Sequence, residues 1–386
     1  MRIKYTAALA VVTVAIIGVT MGARRGEHTS LIRSLTLDQN PVAVAVDTRS
    51  GYAIVALSPD RPNTLGRVLI LDDKTGTLLR TVPVDYAPLG ALAVDEQSAR
   101  VYVAADIDAN GRSFGRGTLR VVDERNGHIS RRIAFDAPAV AMAVDDRSRR
   151  LLTVSRGVVN GAYGTGTVAV RDATTGTALY TGTVGMYPTS IAIDTPSRQA
   201  FIANLLDNSV SVLDARNAHT LHTITLGPPP GRVATVAVDA AARQVFALSL
   251  PPTIAGGPQP TLGGLAMIDL VTGRLMRTIP LRNPAALAVD ERTGRVLIAT
   301  DGAVQVRDGA SGRLLRTIAT GGVPLALAVD GRLGRAILIR GDGAARDSDA
   351  WAWVPGWLRA RLPFVPRPSV HFHAIPASVS IFDLTQ

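Results

Sequence analysis

The residues best suited to hold a metal are Asp106, Asp108 and Asn110, in the run Asp106-Ile-Asp108-Ala-Asn110-Gly111. Oxygen side chains at positions 1, 3 and 5 before a glycine at 6 form the first half of a calcium loop. The glycine permits the sharp turn that brings the oxygens together. Position 12 of a full loop is a bidentate glutamate, and here it is Gly117. Calcium is therefore the candidate cofactor, and an ordinary Asp/Asn/Gly-rich turn is the competing reading. His371 and His373 form a second pair. In an extended chain both rings project to one side, where a nearby Asp would complete a metal site. Two solvated or edge-packed histidines are the competing reading. Cysteine is absent, which removes disulfides, thiolate metal sites and catalytic thiols.

General acid–base chemistry has few candidates. Glutamate occurs only at Glu27, Glu96, Glu124 and Glu291. No Ser-His-Asp arrangement and no Gly-rich phosphate loop between a strand and a helix is present, so no catalytic residue is assigned. Aromatic and arginine residues offer binding chemistry instead. All three tryptophans, Trp351, Trp353 and Trp357, lie in one short segment with Arg359. Pro355 would open a short helix there and Pro363 would end it. That segment reads as a packed lid, as an aromatic surface for a partner or ligand, or as a membrane-interface patch. Arg112, Phe114, Tyr163 and Tyr187 are the further binding candidates.

Composition narrows the class of molecule. The chain has 386 residues, 47% apolar and 19% charged, which excludes a mainly disordered protein. The net charge is +10, yet lysine occurs only at Lys4 and Lys74 and the arginines are scattered. A nucleic-acid footprint is not expected from so dispersed a charge. Residues 5–23 carry no charge, with Arg2 and Lys4 before them and Arg24 and Arg25 after. A span of this length suits a bilayer crossing. A small-x-small cleavage site is not convincing, because Met21 would occupy its −3 position. Residues 1–23 are therefore read as a signal anchor or signal peptide, with the anchor favoured, and 24–30 as a linker.

A repeat organises everything that follows. Segments like Pro41-Val-Ala-Val-Ala-Val-Asp47 end in an aspartate at Asp47, Asp95, Asp145, Asp194, Asp239, Asp290 and Asp330. The spacing is 40–51 residues, the range of a four-stranded propeller blade. Each unit divides into strands a, b, c and d. Strand c ends in its own aspartate (Asp72, Asp123, Asp172, Asp214, Asp269, Asp308 and Asp383). A glycine follows four residues later in most units, and Ala218 replaces it once. Aspartate in these places bonds the turn backbone, so all fourteen are read as structural. The segment Leu31–Leu37 reads as a strand d without a blade, and Ser378–Asp383 as a strand c with no strand d. Together they complete one unit. The expected fold is all-β: a seven-bladed β-propeller over 31–386, its N-terminal strand closing the last blade. One N-terminal apolar helix precedes it, and 341–377 form an insert in blade 7.

The fourth unit carries a resemblance. Phe201-Ile-Ala-Asn204, followed by Asp207-Asn-Ser-Val-Ser-Val-Leu-Asp214, resembles the YVTN repeat of YncE-like seven-bladed β-propellers. The other six units keep the strand pattern and lose the Asn. The resemblance spans residues 31–386 and implies an exported binding or interaction propeller. It names no site, because the repeat encodes the scaffold.

The a–b and c–d turns are short in every unit, whereas the long, irregular connections are b–c, in units 1, 2, 3, 5 and 7. In a meander b–c and d–a connections share one face, and variable loops on a rigid scaffold carry binding. The expected function is an exported or membrane-tethered, non-catalytic propeller that binds a protein or small ligand on its b–c face. The alternative is a metal-dependent propeller enzyme of lactonase or lyase type using Asp106 and Asp108. The short stretch from Arg24 to Leu31 would reach less than about 30 Å, so an uncleaved anchor would turn the short-turn face toward the bilayer.

Overall fold

The computed structural model describes residues 31–385 apart from 60–63, 85–87, 108–112, 160–161, 228–231, 253–260, 342 and 347–371. Seven four-stranded antiparallel sheets follow one another along the chain. Blade 4 shows the plan: strand a is Pro188–Asp194, b is Gln199–Asn204, c is Ser209–Asp214 and d is Thr220–Thr225. Each strand a touches the strand a of the next blade, and the seventh touches the first. The ring is therefore closed, with strand a innermost and strand d outermost.

Closure depends on the two ends of the chain. Blade 7 takes Val323–Asp330, Arg335–Gly341 and Ser378–Asp383 as strands a to c, and Leu31–Thr36 as strand d. Leu35 pairs with Val379 and Thr36 with Ser378. This leaves strand c of the last blade no open edge. Residues 1–30 lie outside the described residues, and with them the expected apolar helix. Among the described residues no helix is long and apolar enough to cross a membrane.

The core is a set of layers between blades. Each blade-to-blade interface holds one apolar cluster, such as Phe201, Val212 and Ile224 of blade 4 against Val236, Val245 and Ile268 of blade 5. Strands b are buried on both sides, as in Ala53-Ile-Val-Ala-Leu57. That is why they read as continuous β-branched and aliphatic runs.

The recurring aspartates act as expected on the turn backbone. Asp47 Oδ1 accepts the Arg49 and Ser50 N–H groups at 2.8 and 2.9 Å. Asp72 accepts that of Thr75 at 2.7 Å, and the glycine that follows, Gly76, sits at φ +69°. In blade 4 the equivalent Ala218 takes φ +59°. The facing residue on strand d of blade 3 is then Gly182, where a Cβ would stand 2.2 Å from the Ala218 carbonyl. Elsewhere that contact has a glycine in the turn and a side chain on the strand, as with Gly176 against Ile133.

Two sequence expectations need correction. The b–c connections of blades 2 and 3 were expected to be irregular loops. The strands instead run on as long hairpins, Arg100–Ile107 with Ser113–Asp123 and Arg150–Val159 with Ala162–Asp172. Val159 pairs with Ala162 across the two residues Asn160-Gly161, the dipeptide that favours a tight hairpin. In blade 7 the 341–377 segment includes a two-stranded ribbon, Gly343–Arg346 with Phe372–Ile375.

Carboxyl groups also join blades 7, 1, 2 and 3 at their short-turn ends. The Asp73 carboxyl faces that of Asp330 in the preceding blade, Glu124 faces Asp47, and Asp146 faces Asp95. Five blades place Ala173, Ala215, Leu270, Gly309 or Leu384 where blades 1 and 2 place Asp73 and Glu124. Burial first, then the neighbouring carboxylate, raises the pKa of Asp73 and of Glu124, and burial pushes Asp146 up to about 7. Two facing carboxyls need a proton between them.

Two predictions follow from this packing. Gly182→Ala should cost about 1–3 kcal/mol in urea unfolding, whereas Gly227→Ala, with open space around it, should stay within about 0.5 kcal/mol; equal effects would refute the close approach. The pH dependence has a definite sign. A carboxyl with a raised folded-state pKa stabilises fully at low pH, and that stabilisation is lost as pH rises through its folded value, about 7 for Asp146. Turn-capping Asp172 and Asp269, held low mainly by N–H bonds from Thr175 and Thr272, act oppositely and lose their contribution only on acidification. The midpoint of thermal unfolding should therefore peak in mild acid and fall toward pH 9. Glu124→Gln should flatten the fall, and a midpoint that rises across this range would refute the shared protons.

Candidate functional site

On the loop face, blades 3 and 4 bring together three side chains that are distant in sequence. The Tyr163 and Tyr187 ring centroids are 4.5 Å apart at 87°, an edge-to-face contact. The Arg156 guanidinium lies 4.0 Å above the Tyr187 ring, within cation–π range.

Local irregularities place all three. Between the pairs Ser155–Thr167 and Gly157–Gly164 strand c holds one residue more than strand b, so Arg156 stands out of the ladder opposite Thr165 and Gly166, and a bulge of this kind bends the hairpin locally. A Cβ on Gly157 would stand 1.9 Å from the Thr165 carbonyl, so glycine there allows the strands to close around the bulge. Tyr163 sits opposite Val158 in the same hairpin and is 56% exposed. Tyr187 joins strand d of blade 3 to strand a of blade 4 with φ +55°, a left-handed conformation that is rare for a bulky residue.

The b–c turn of blade 4 holds Tyr187 in that conformation. Asp207 Oδ2 accepts the Met186 N–H, and the Leu205 N–H donates to the Tyr187 carbonyl at 3.1 Å. Behind them Asn204 is fully buried and donates to Ser209 and Ser211 at 3.0 and 2.9 Å. Ser211 accepts the Gly185 N–H in turn. A Cβ on Gly185 would meet Asn204 Cγ at 2.6 Å. The strain at Tyr187 is thus supported by a polar network in the blade with the most regular repeat.

The electrostatics of the cluster favour an anion. Arg156 Nε is buried without a hydrogen-bond partner, and among the described residues no ion pair reaches Arg156. The nearby Asp207 carboxylate is engaged by backbone. An incoming carboxylate or phosphate would find a stacked, uncompensated guanidinium beside an exposed aromatic ring.

The other sequence candidates are placed less fully. Asp106 lies on strand b of blade 2 and Phe114 on its strand c. Asp108, Asn110, Arg112, Trp351, Trp353, Trp357, Arg359 and His371 lie outside the described residues. His373 is in the blade 7 ribbon, opposite Ala345. Among the described residues no group of three His, Cys, Asp or Glu side chains is placed to hold a metal ion. Sequence reasoning selected both tyrosines and missed Arg156. The signal was its neighbour, Gly157, inside an apolar strand pattern, which marks a bulge.

A notch of about 220 Å³ opens on the opposite face between blades 6 and 7, lined by Asp290, Arg292, Arg295 and Leu384. Its charges are already engaged: Asp290 accepts the Arg292 and Thr293 N–H groups, Arg292 donates to Gly331 and Arg295 to Leu384. It offers a ligand little that is unbonded.

A double-mutant cycle with Arg156→Met and Tyr187→Leu should give a coupling of about 0.5–1 kcal/mol in urea unfolding. A coupling near zero would show that the stacked pair is not formed in solution.

No family model matches this chain, and no curated protein sequence matches it. Solved structures do. The β-propeller domain of Cps50 (Swd1) from Myceliophteria thermophila aligns over 79% of this chain and 96% of its own, with 11% identity and a TM-score of 0.58. Hydrazine synthase from Kuenenia stuttgartiensis aligns over 82% of this chain and 96% of that chain, with 13% identity and a TM-score of 0.64. Likeness at such identity concerns the fold alone, and by that fold the chain is a seven-bladed β-propeller.

Proposed function

We propose that this chain is a non-catalytic binding propeller, exported and tethered through residues 5–23, that takes its ligand on the loop face at Arg156, Tyr163 and Tyr187. One observation carries the reading: an arginine without a carboxylate partner is stacked on a tyrosine held in a left-handed conformation. Strain of this kind persists where surrounding structure over-determines it, and it gathers at functional sites. The ligand class is an anionic group borne on an apolar or aromatic body, supplied by a small molecule or by a protein side chain. The finer family reading, a YncE-like YVTN propeller, rests on Phe201-Ile-Ala-Asn204 and on the buried bonding of Asn204.

Benzoate is the simplest probe of that chemistry. Titrated against the full chain in detergent, it should shift the resonances of Tyr163 and Tyr187 with millimolar affinity, and benzyl alcohol should not. Arg156→Met should abolish the response, and Tyr163→Ala should weaken it roughly fivefold. Equal responses to benzoate and benzyl alcohol, or an unchanged benzoate response in Arg156→Met, would overturn the reading.

A further inference from the structure

Every outer strand carries the same irregularity in the same place. Between its first and third residues the register jumps by one, leaving the second residue out of the ladder. Six of the seven bulged residues are large and apolar: Ile32, Leu79, Leu179, Leu221, Met276 and Leu315. The exception is Ser130, whose hydroxyl donates to the Val121 carbonyl. A bulge breaks strand alternation, so neighbouring apolar residues face solvent together. Their exposures run from 37% to 47%, and Leu31, Tyr180, Leu275 and Leu314 beside them are exposed as well. All lie just beyond the c–d turn, so together they form a belt around the short-turn rim.

Soluble proteins scatter exposed apolar residues singly and protect edge strands with charge. Along the outer strands the charge has one sign, and the aspartates of the c–d turns before them are engaged by turn N–H groups. The seven outer strands hold seven arginines and no Asp or Glu. In blades 5 and 6 the apolar pair lies between arginines, as Arg274-Leu-Met-Arg277 and Arg313-Leu-Leu-Arg316. Apolar residues flanked by cations match a bilayer interface, where the side chains enter the acyl boundary and the cations meet phosphates. The chain itself points to that occupant. The uncharged stretch 5–23 is followed within eight residues by Leu31-Ile32, which belong to the belt.

We propose that the short-turn rim of the ring is a docking surface for an anionic lipid bilayer, with the bulged side chains at the acyl boundary and the outer-strand arginines at the headgroup phosphates. The proposal rests on the tethered reading for its orientation and adds a contact that the tether alone does not require. Seated in this way, the propeller would hold Arg156, Tyr163 and Tyr187 on the side away from the lipid.

The absence of cysteine makes the test direct. Met276→Cys, Leu315→Cys and, on the loop face, Asp301→Cys each accept a single environment-sensitive fluorophore. The full chain is reconstituted into phosphatidylglycerol/phosphatidylcholine vesicles carrying a nitroxide on the upper acyl chain. Labels at 276 and 315 should be quenched at least about threefold more than the label at 301, and less so in pure phosphatidylcholine. Belt labels reached by aqueous iodide and not by the nitroxide, in a chain that resists alkaline carbonate extraction, would overturn the belt and leave the tether standing. Nitroxide quenching in a chain that carbonate extracts would remove the tether and keep the belt. Belt labels shielded without lipid, together with a doubled mass, would assign the belt to contact between copies and overturn the lipid proposal.

Discussion

Seven small sheets stacked face to face are stable only when each has a neighbour on both sides. A line of them would leave two apolar faces open, and a single four-stranded blade buries too little to stand alone. The pairing of Leu31–Thr36 with Ser378–Asp383 removes that difficulty by turning the line into a ring. The seven apolar layers, the circle of inner strands and the division of the molecule into two faces all depend on that one seam. Arg340 reinforces it, with one guanidinium nitrogen reaching Ser380 at 2.8 Å and Ser34 at 3.4 Å.

Closure leaves the two faces under different physical constraints. On the short-turn face each turn is capped by an aspartate that bonds its backbone, and at three junctions carboxyl meets carboxyl across a blade boundary. Change there is costly, because a turn residue also packs against the neighbouring blade. The loop face is looser in length, and there the hairpin of blade 3 can set an arginine opposite a bulge, against its own Tyr163 and the Tyr187 of the next connection. The strained backbone at Tyr187 is affordable because Asp207, Asn204 and Ser211 hold the segment from behind.

The scaffold was legible because turn capping leaves a fixed residue at a fixed interval. Fourteen aspartates mark fourteen strand ends, and the glycine four residues on marks the left-handed position that follows. The site was less legible, since its members lie on features without a repeat. Tyr163 and Tyr187 were selected by loop position alone, and nothing in the sequence set their rings in contact. Arg156 escaped because the long b–c segment of blade 3 was read as a loop, although Asn160-Gly161 between apolar pairs signals a hairpin. The outer bulges left a trace too, in doublets such as Leu78-Leu79 and Leu314-Leu315. A doublet violates strand alternation, but it is easily taken for an ordinary buried run.

The seam also sets an order of events during synthesis. Blades 1 to 6 are each contiguous in sequence and can form as they emerge, whereas blade 7 joins strands some 346 residues apart, as Ser34 and Ser380 are. Until Ser378–Asp383 has been made, the first strand has no partner and blades 1 and 6 each keep a bare apolar flank. Long-range pairing of this kind is slow. The nascent chain therefore passes most of its synthesis as an open arc, and an arc is what a chaperone would meet.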